Sequence, residues 1–204
     1  MIRARWLGLW RRLGAIHPPA IEPLLERLGE TQRHYHTLTH IRHCLTTYDR
    51  GPLRDDAVEL ALWMHDAIYD PQAKDNEARS AAWCRDLCAA SGVANVVAAR
   101  ANACILATCH RHQTFSPAEA LTVSVDLAIL GESSELFAAY DRNVRREYAW
   151  VDMPSYRRGR AAVLQAFVRR PAIYPLPWFE QRYGNRARLN LRRTLRRLAT
   201  GPVP

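Results

Sequence analysis

The chain has 204 residues, 48% of them hydrophobic and 24% charged, which suits one folded domain and excludes a disordered chain. Its formal charge is +9, and Lys74 is the only lysine, so nearly all of the positive charge is arginine. That charge is unevenly placed: residues 142–204 carry 15 Arg against Glu147, Asp152 and Glu180, a net +12, which leaves −3 for residues 1–141. A polyanionic partner, a phosphate-bearing substrate or mere solubility would each account for it.

The most apolar stretch, Ala120–Leu130, is short and contains Asp126, whereas a span needs about 20 apolar residues. The first ten residues run straight into Arg11 and Arg12 without the apolar core of a signal peptide. The expectation is therefore a cytoplasmic protein without a membrane partner. Five cysteines (Cys44, Cys84, Cys88, Cys104 and Cys109) lack zinc-ribbon spacing and read as buried free thiols.

Helical periodicity predicts, in chain order, helices over Ile21–Leu28, Thr39–Asp49, Asp55–Tyr69, Asp75–Ser91 and Val93–Cys109. Ser116-Pro117-Ala118-Glu119 is a capping box opening a helix to Leu130. Ser133–Ala149, Pro154–Arg169 and about Asn185–Leu198 complete the series. No stretch alternates like a strand. The expectation is an all-α fold of eight to ten helices in a single domain, with Trp63, Trp83, Trp150 and Trp178 in the core.

Seven of the eight histidines lie between residues 34 and 112. His65 and Asp66 sit in an apolar segment; adjacent helical positions point about 100° apart, yet both can reach one ion lodged beside the helix. His40 lies 25 residues before the dyad, Asp126 lies 60 after it within Thr122-Val-Ser-Val-Asp-Leu-Ala-Ile-Leu, and His110 closes the fifth predicted helix. Antiparallel packing of three or four helices can bring these side chains to one point, as in bundle-core metal sites.

The order His40…His65-Asp66…Asp126 resembles the signature of the HD superfamily of metal-dependent phosphohydrolases. Longer blocks are similar to a bacterial branch of predicted HD-type phosphohydrolases: Tyr35-His-Thr-Leu-Thr-His-Ile, Ala61-Leu-Trp-Met-His-Asp-Ala-Ile-Tyr-Asp-Pro, Asp75-Asn-Glu-Ala-Arg-Ser-Ala, Ile105-Leu-Ala-Thr-Cys-His and Asp126-Leu-Ala-Ile-Leu-Gly. The C-terminal blocks Arg146-Glu-Tyr-Ala, Tyr156-Arg-Arg-Gly-Arg and Ala187-Arg-Leu-Asn-Leu are also similar, so the likeness spans about residues 20–198. The resemblance implies a single HD-domain helical bundle, with an HD core over about 30–135 and a basic helical part over about 136–204. It further implies His40, His65, Asp66 and Asp126 as ligands of a divalent metal ion. Mn, Mg, Fe, Co or Ni suits that mixed set, no cysteine ligand is expected, and four ligands leave room for water.

The implied activity is hydrolysis of a nucleotide or other small phosphoester through a metal-activated water, with Asp66 orienting that water. Glu77 is a candidate base, and His110 a candidate acid or phosphate contact. His36, four before His40, and the cationic Lys74 and Arg79 are candidate substrate contacts. His112, two beyond His110, reads as solvated; His34 and His43 read as surface or supporting residues. Tyr35 and Tyr69 stand near the proposed site, with packing as their expected role. Two other readings remain open. One is a non-enzymatic nucleotide or nucleic-acid binder; it is disfavoured because Arg186, Arg188, Arg192, Arg193, Arg196 and Arg197 surround their helix instead of forming one stripe. The other is an HD-type di-iron oxygenase, for which only His110 and His112 lie between the dyad and Asp126.

Overall fold

A computed structural model describes residues 2–110 and 115–200. Among them the fold is all helical. Ten α-helices run α1 Ile2–Arg12, α2 Glu22–Leu28, α3 Leu38–Arg50, α4 Asp56–Met64, α5 Asn76–Ala90, α6 Asn95–Ala107, α7 Pro117–Asp126, α8 Ser134–Glu147, α9 Met153–Arg169 and α10 Pro177–Thr200, with a 3-10 helix over Leu127–Gly131 between α7 and α8. The chain divides into two compact units, Met1–Asp126 and Leu127–Pro204.

In the first unit α4 is the central helix. Every residue from Ala57 to Met64 is buried, as a helix apolar on all sides requires, and it packs against α1, α3, α5, α6 and α7. Asp55 starts it by accepting from the amides of Ala57 and Val58 at 3.0 and 3.4 Å. The expected capping box opens α7: Ser116 N donates to Glu119 Oε2 at 2.7 Å, and Glu119 N to Ser116 Oγ at 3.4 Å. Gly92, at φ +76°, ends the turn after α5 in a conformation that suits glycine.

Helix α1 is an element that periodicity did not separate from a charged N-terminus. Trp6 and Trp10 enter the core edge-to-face, each ring of the chain Trp10–Trp6–Trp63 being 5.4 Å from the next. Its arginines hold the buried Glu59 of α4: Arg5 Nε donates to Oε1 and Arg12 Nη2 to Oε2, both at 2.7 Å. Of the four tryptophans expected inside, only Trp63 is fully buried; Trp83 and Trp178 are half-buried and Trp150 is 56% exposed.

In the second unit the 3-10 helix packs against α8 and α10, and α9 packs on α10. Asn190 donates to the carbonyls of Leu130 and Glu132, both at 3.0 Å. Gly131 permits the close approach: a Cβ there would stand 2.6 Å from Tyr183 Cβ. Helix α10 begins eight residues earlier than its leucine spacing suggests. Gly184 lies within the helix, beneath the Glu180 carboxylate that accepts from the amides of Ile173 and Tyr174 at 2.8 and 3.0 Å.

Candidate metal centre

Helix α3 is capped by Thr37, whose hydroxyl accepts from Thr39 N at 3.3 Å, and this sets His40 in the first turn facing the core. The predicted helix through Tyr69 in fact stops at Met64, and His65 and Asp66 lie on the turn that follows. His65 still has helical backbone angles (φ −59°, ψ −34°), and both side chains nevertheless reach one point, as their spacing allows. Asp126 is the last residue of α7, and His110 follows α6 at φ +57°, a left-handed conformation that costs a non-glycine residue about 1–3 kcal/mol.

Four side chains converge. His40 Nε2 and His65 Nε2 are 3.0 Å apart. Asp66 Oδ2 lies 3.0 Å from His65 Nε2 and 3.4 Å from His40 Nε2. Asp126 Oδ1 lies 3.2 Å from His40 Nε2 and 3.5 Å from His65 Nε2, while its Oδ2 is 3.2 Å from His110 Nε2. Ligands bound to one metal ion at about 2.0–2.2 Å sit roughly 3.0–3.5 Å apart, so the spacing of these atoms is compatible with a metal ion held among them. Asp66 Oδ2 is buried, and among the described residues its near neighbours are these two nitrogens.

The tautomer of His65 is fixed from behind: Nδ1 lies 3.2 Å from the carbonyl of Leu62, to which its N–H donates, leaving Nε2 to the cluster. Burial alone would lower both imidazoles, but Cys44, Tyr35, Asp126 and Asp66 hold His40 well above its ordinary range, and Asp66 and Asp126 do the same for His65. Burial likewise pushes both carboxyls up. His65, His36 and His40 outweigh it at Asp66, and His110, His40 and His65 at Asp126, so both are well below the usual carboxylate range. The raised imidazoles offset the charge of the two carboxylates; a divalent cation taking the place of their protons would balance the same −2.

One neighbour escaped sequence reading. Cys44 Sγ stands 3.6 Å from His40 Nε2 and 3.7 Å from Nδ1, and His40, Cys44, His65 and Asp126 form a compact group able to hold a metal ion. The signal was its position, one helical turn beyond His40 on α3. Burial raises the Cys44 thiol, but His40, His43 and His65 bring it down to about 7. Cys84, Cys88 and Cys104 are buried as expected, and Cys109 is half-buried.

Arg33 was also missed. Its buried guanidinium donates to the carbonyls of His36 at 3.0 Å, Asp66 at 2.6 Å and Ala67 at 3.0 Å, and so fastens the dyad turn. His36 forms the near wall, stacked on Tyr69 at 4.1 Å and edge-on to Tyr35 at 4.9 Å. Lys74 and Arg79 are exposed around the start of α5 and Glu77 is half-buried in its first turn; among the described residues none of the three side chains bonds to the cluster. His34 and His43 are half-buried, and His112 lies outside the described residues.

No helix among the described residues is long and apolar enough to cross a membrane. No family model, curated protein or solved structure matches the chain.

Proposed function

We propose that the chain is a metal-dependent phosphohydrolase of HD type, acting on a nucleotide or another small phosphoester. One observation carries this reading: His40, the His65-Asp66 dyad and Asp126 come from three separate segments and meet with edges of 3.0–3.5 Å. A divalent cation supplies such a site with a Lewis acid for a phosphoryl oxygen and with water of lowered pKa. The chain's own groups would do the rest. Asp66, the partly exposed carboxylate of the dyad, orients the attacking water by accepting its hydrogen bond. His110, 23% exposed and held through Nε2 by Asp126, carries a proton at the solvent side of the cluster for the leaving oxygen. Lys74 and Arg79 are the cations nearest in sequence after the dyad, and contact a bound phosphate from the start of α5.

The test is metal analysis of wild type and Asp66→Ala, coupled to a panel of phosphoesters and nucleotides. The expected result is one divalent cation per chain in wild type, its loss in the variant, and hydrolysis of a panel member by wild type alone. A folded, metal-loaded protein inactive across the panel would overturn the assignment.

A further inference from the structure

The second unit holds a cavity of about 260 Å³, lined in part by Asp141, Arg142, Arg145, Arg146, Tyr156 and Arg197. Four guanidinium groups face one carboxylate there. That carboxylate is already engaged: Asp141 Oδ1 accepts from Arg160 at 2.9 and 3.1 Å, and Oδ2 from Arg197 at 2.6 Å. Arg145 is engaged too, donating to the carbonyls of Tyr148 and Val151 with its guanidinium 4.6 Å over the Tyr156 ring. Arg142 and Arg146, one turn apart on α8, are exposed and have no ion-pair partner among the described residues.

Two buried donors on this cavity lack a partner. Tyr156 is only 6% exposed, yet among the described residues its hydroxyl makes no hydrogen bond, and neither does the buried Nε of Arg197. A buried donor left unmade is costly, and here both donors line a space dominated by positive charge. Planar guanidinium forks beside a phenolic hydroxyl match the oxygens of a phosphoryl group. The volume lies below the about 300–1,000 Å³ of pockets that enclose drug-sized ligands, which is room for a phosphoryl head. The blocks Arg146-Glu-Tyr-Ala and Tyr156-Arg-Arg-Gly-Arg, unused at the metal centre, meet here.

We propose that this cavity binds the phosphoryl or pyrophosphoryl group of a small phosphorylated ligand, through Arg142, Arg146, Arg197 and the Tyr156 hydroxyl. The inference does not rest on the metal-centre reading. Its test is calorimetric titration of the full chain with sodium pyrophosphate, in EDTA so that the metal centre stays out of the measurement. One site per chain is expected. The double variant Arg142→Ala/Arg146→Ala should weaken it by on the order of tenfold or more. Tyr156→Phe keeps the packing and should weaken it several-fold with an unchanged thermal melt. Arg192→Ala/Arg193→Ala, which removes equal charge from an exposed part of α10, should leave it within about twofold. No binding by wild type, or equal loss in the control pair, would overturn the proposal. So would a single-stranded oligonucleotide that binds where pyrophosphate does not, since that outcome assigns the arginines to nucleic acid.

Discussion

The Arg33 guanidinium donates to the main-chain oxygen of Asp66 at 2.6 Å, so the residue that carries a cluster carboxylate is held by its backbone from a buried cation 33 positions earlier. The same fork serves His36 and Ala67. Arg33→Ala would strand three carbonyls that the end of α4 cannot satisfy, at about 1–3 kcal/mol for each one left buried and dry. A loss of about 3–5 kcal/mol in denaturant unfolding is expected, with Arg33→Lys recovering only part because one ammonium cannot span the fork. Supporting groups of this kind also tune the ligands they hold, and a metal affinity lowered about 10–100-fold should accompany the loss. Unchanged stability in Arg33→Ala would remove it from this role.

The elements that local chemistry dictates were legible in the sequence. The Ser116–Glu119 box, the Asp55 cap and the apolar run of α4 follow from neighbouring residues alone. The His40, His65, Asp66 and Asp126 convergence was anticipated from order and residue type. Arg33 was not, because its partners are backbone carbonyls, which leave no trace in residue identity. Trp6 and Trp10 were hidden among the arginines of α1, whose partner Glu59 is more than 45 residues away. The end of α4 at Met64 was missed because no proline or glycine marks it; the Arg33 bonds replace such a breaker.

Removing the cation should loosen the first unit. A ligand present at about 100 times its Kd stabilises the fold by about 2.7 kcal/mol, and in a chain of this size each kcal/mol moves Tm by roughly 2–4 °C. Chelation should therefore lower Tm by about 5–10 °C in wild type and by nothing in Asp126→Asn. A chelator without effect on the melt of a protein shown to hold metal would count against the cluster as the binding site.

Cys44 and Asp66 would be rival fourth ligands of a metal ion held by His40, His65 and Asp126. Sγ is nearly equidistant from both ring nitrogens of His40, at 3.6 and 3.7 Å, which sets it to the side of the Nε2 lone pair that would bind a metal. Asp66 Oδ2 is close to both Nε2 atoms and otherwise unbonded. Cobalt(II) binding should therefore show no thiolate charge-transfer band, and Cys44→Ser should retain the ion while Asp66→Asn loses it. A near-ultraviolet band abolished in Cys44→Ser would hand the position to the thiol.

Burial pushes the Cys104 thiol up to about 11, with Asp55 and Glu119 adding to the rise against an opposing bond from Thr122. The unfolded thiol ionises near 8.5. The folded state binds its proton more tightly, so this group's contribution is intact at neutral pH. It falls as pH rises past the unfolded value and is lost through about 11. One pH unit in that window corresponds to about 1.4 kcal/mol. The stability advantage of wild type over Cys104→Ala should therefore shrink by about 1–2 kcal/mol between pH 8 and pH 10, read by urea unfolding under reducing conditions. An advantage that stays constant would mean the folded thiol titrates like a free one.

Asp141 links α8 to α9 and α10 through two arginines of different standing. Arg160 is buried, bonds the carboxylate at 2.9 and 3.1 Å and lies 5.1 Å over the Tyr140 ring. Arg197 is 38% exposed, and its bond is correspondingly screened. Asp141→Asn leaves a buried guanidinium uncompensated and should cost about 3–5 kcal/mol. Arg197→Ala should cost under about 1 kcal/mol. Replacing the pair together, Asp141→Leu with Arg160→Met, should be less destabilising than the sum of the single changes, because neither charge is then left behind. Urea unfolding of the four proteins completes the cycle. Additive losses would show that the two side chains act independently, and the two-arginine linkage through Asp141 would have to be abandoned.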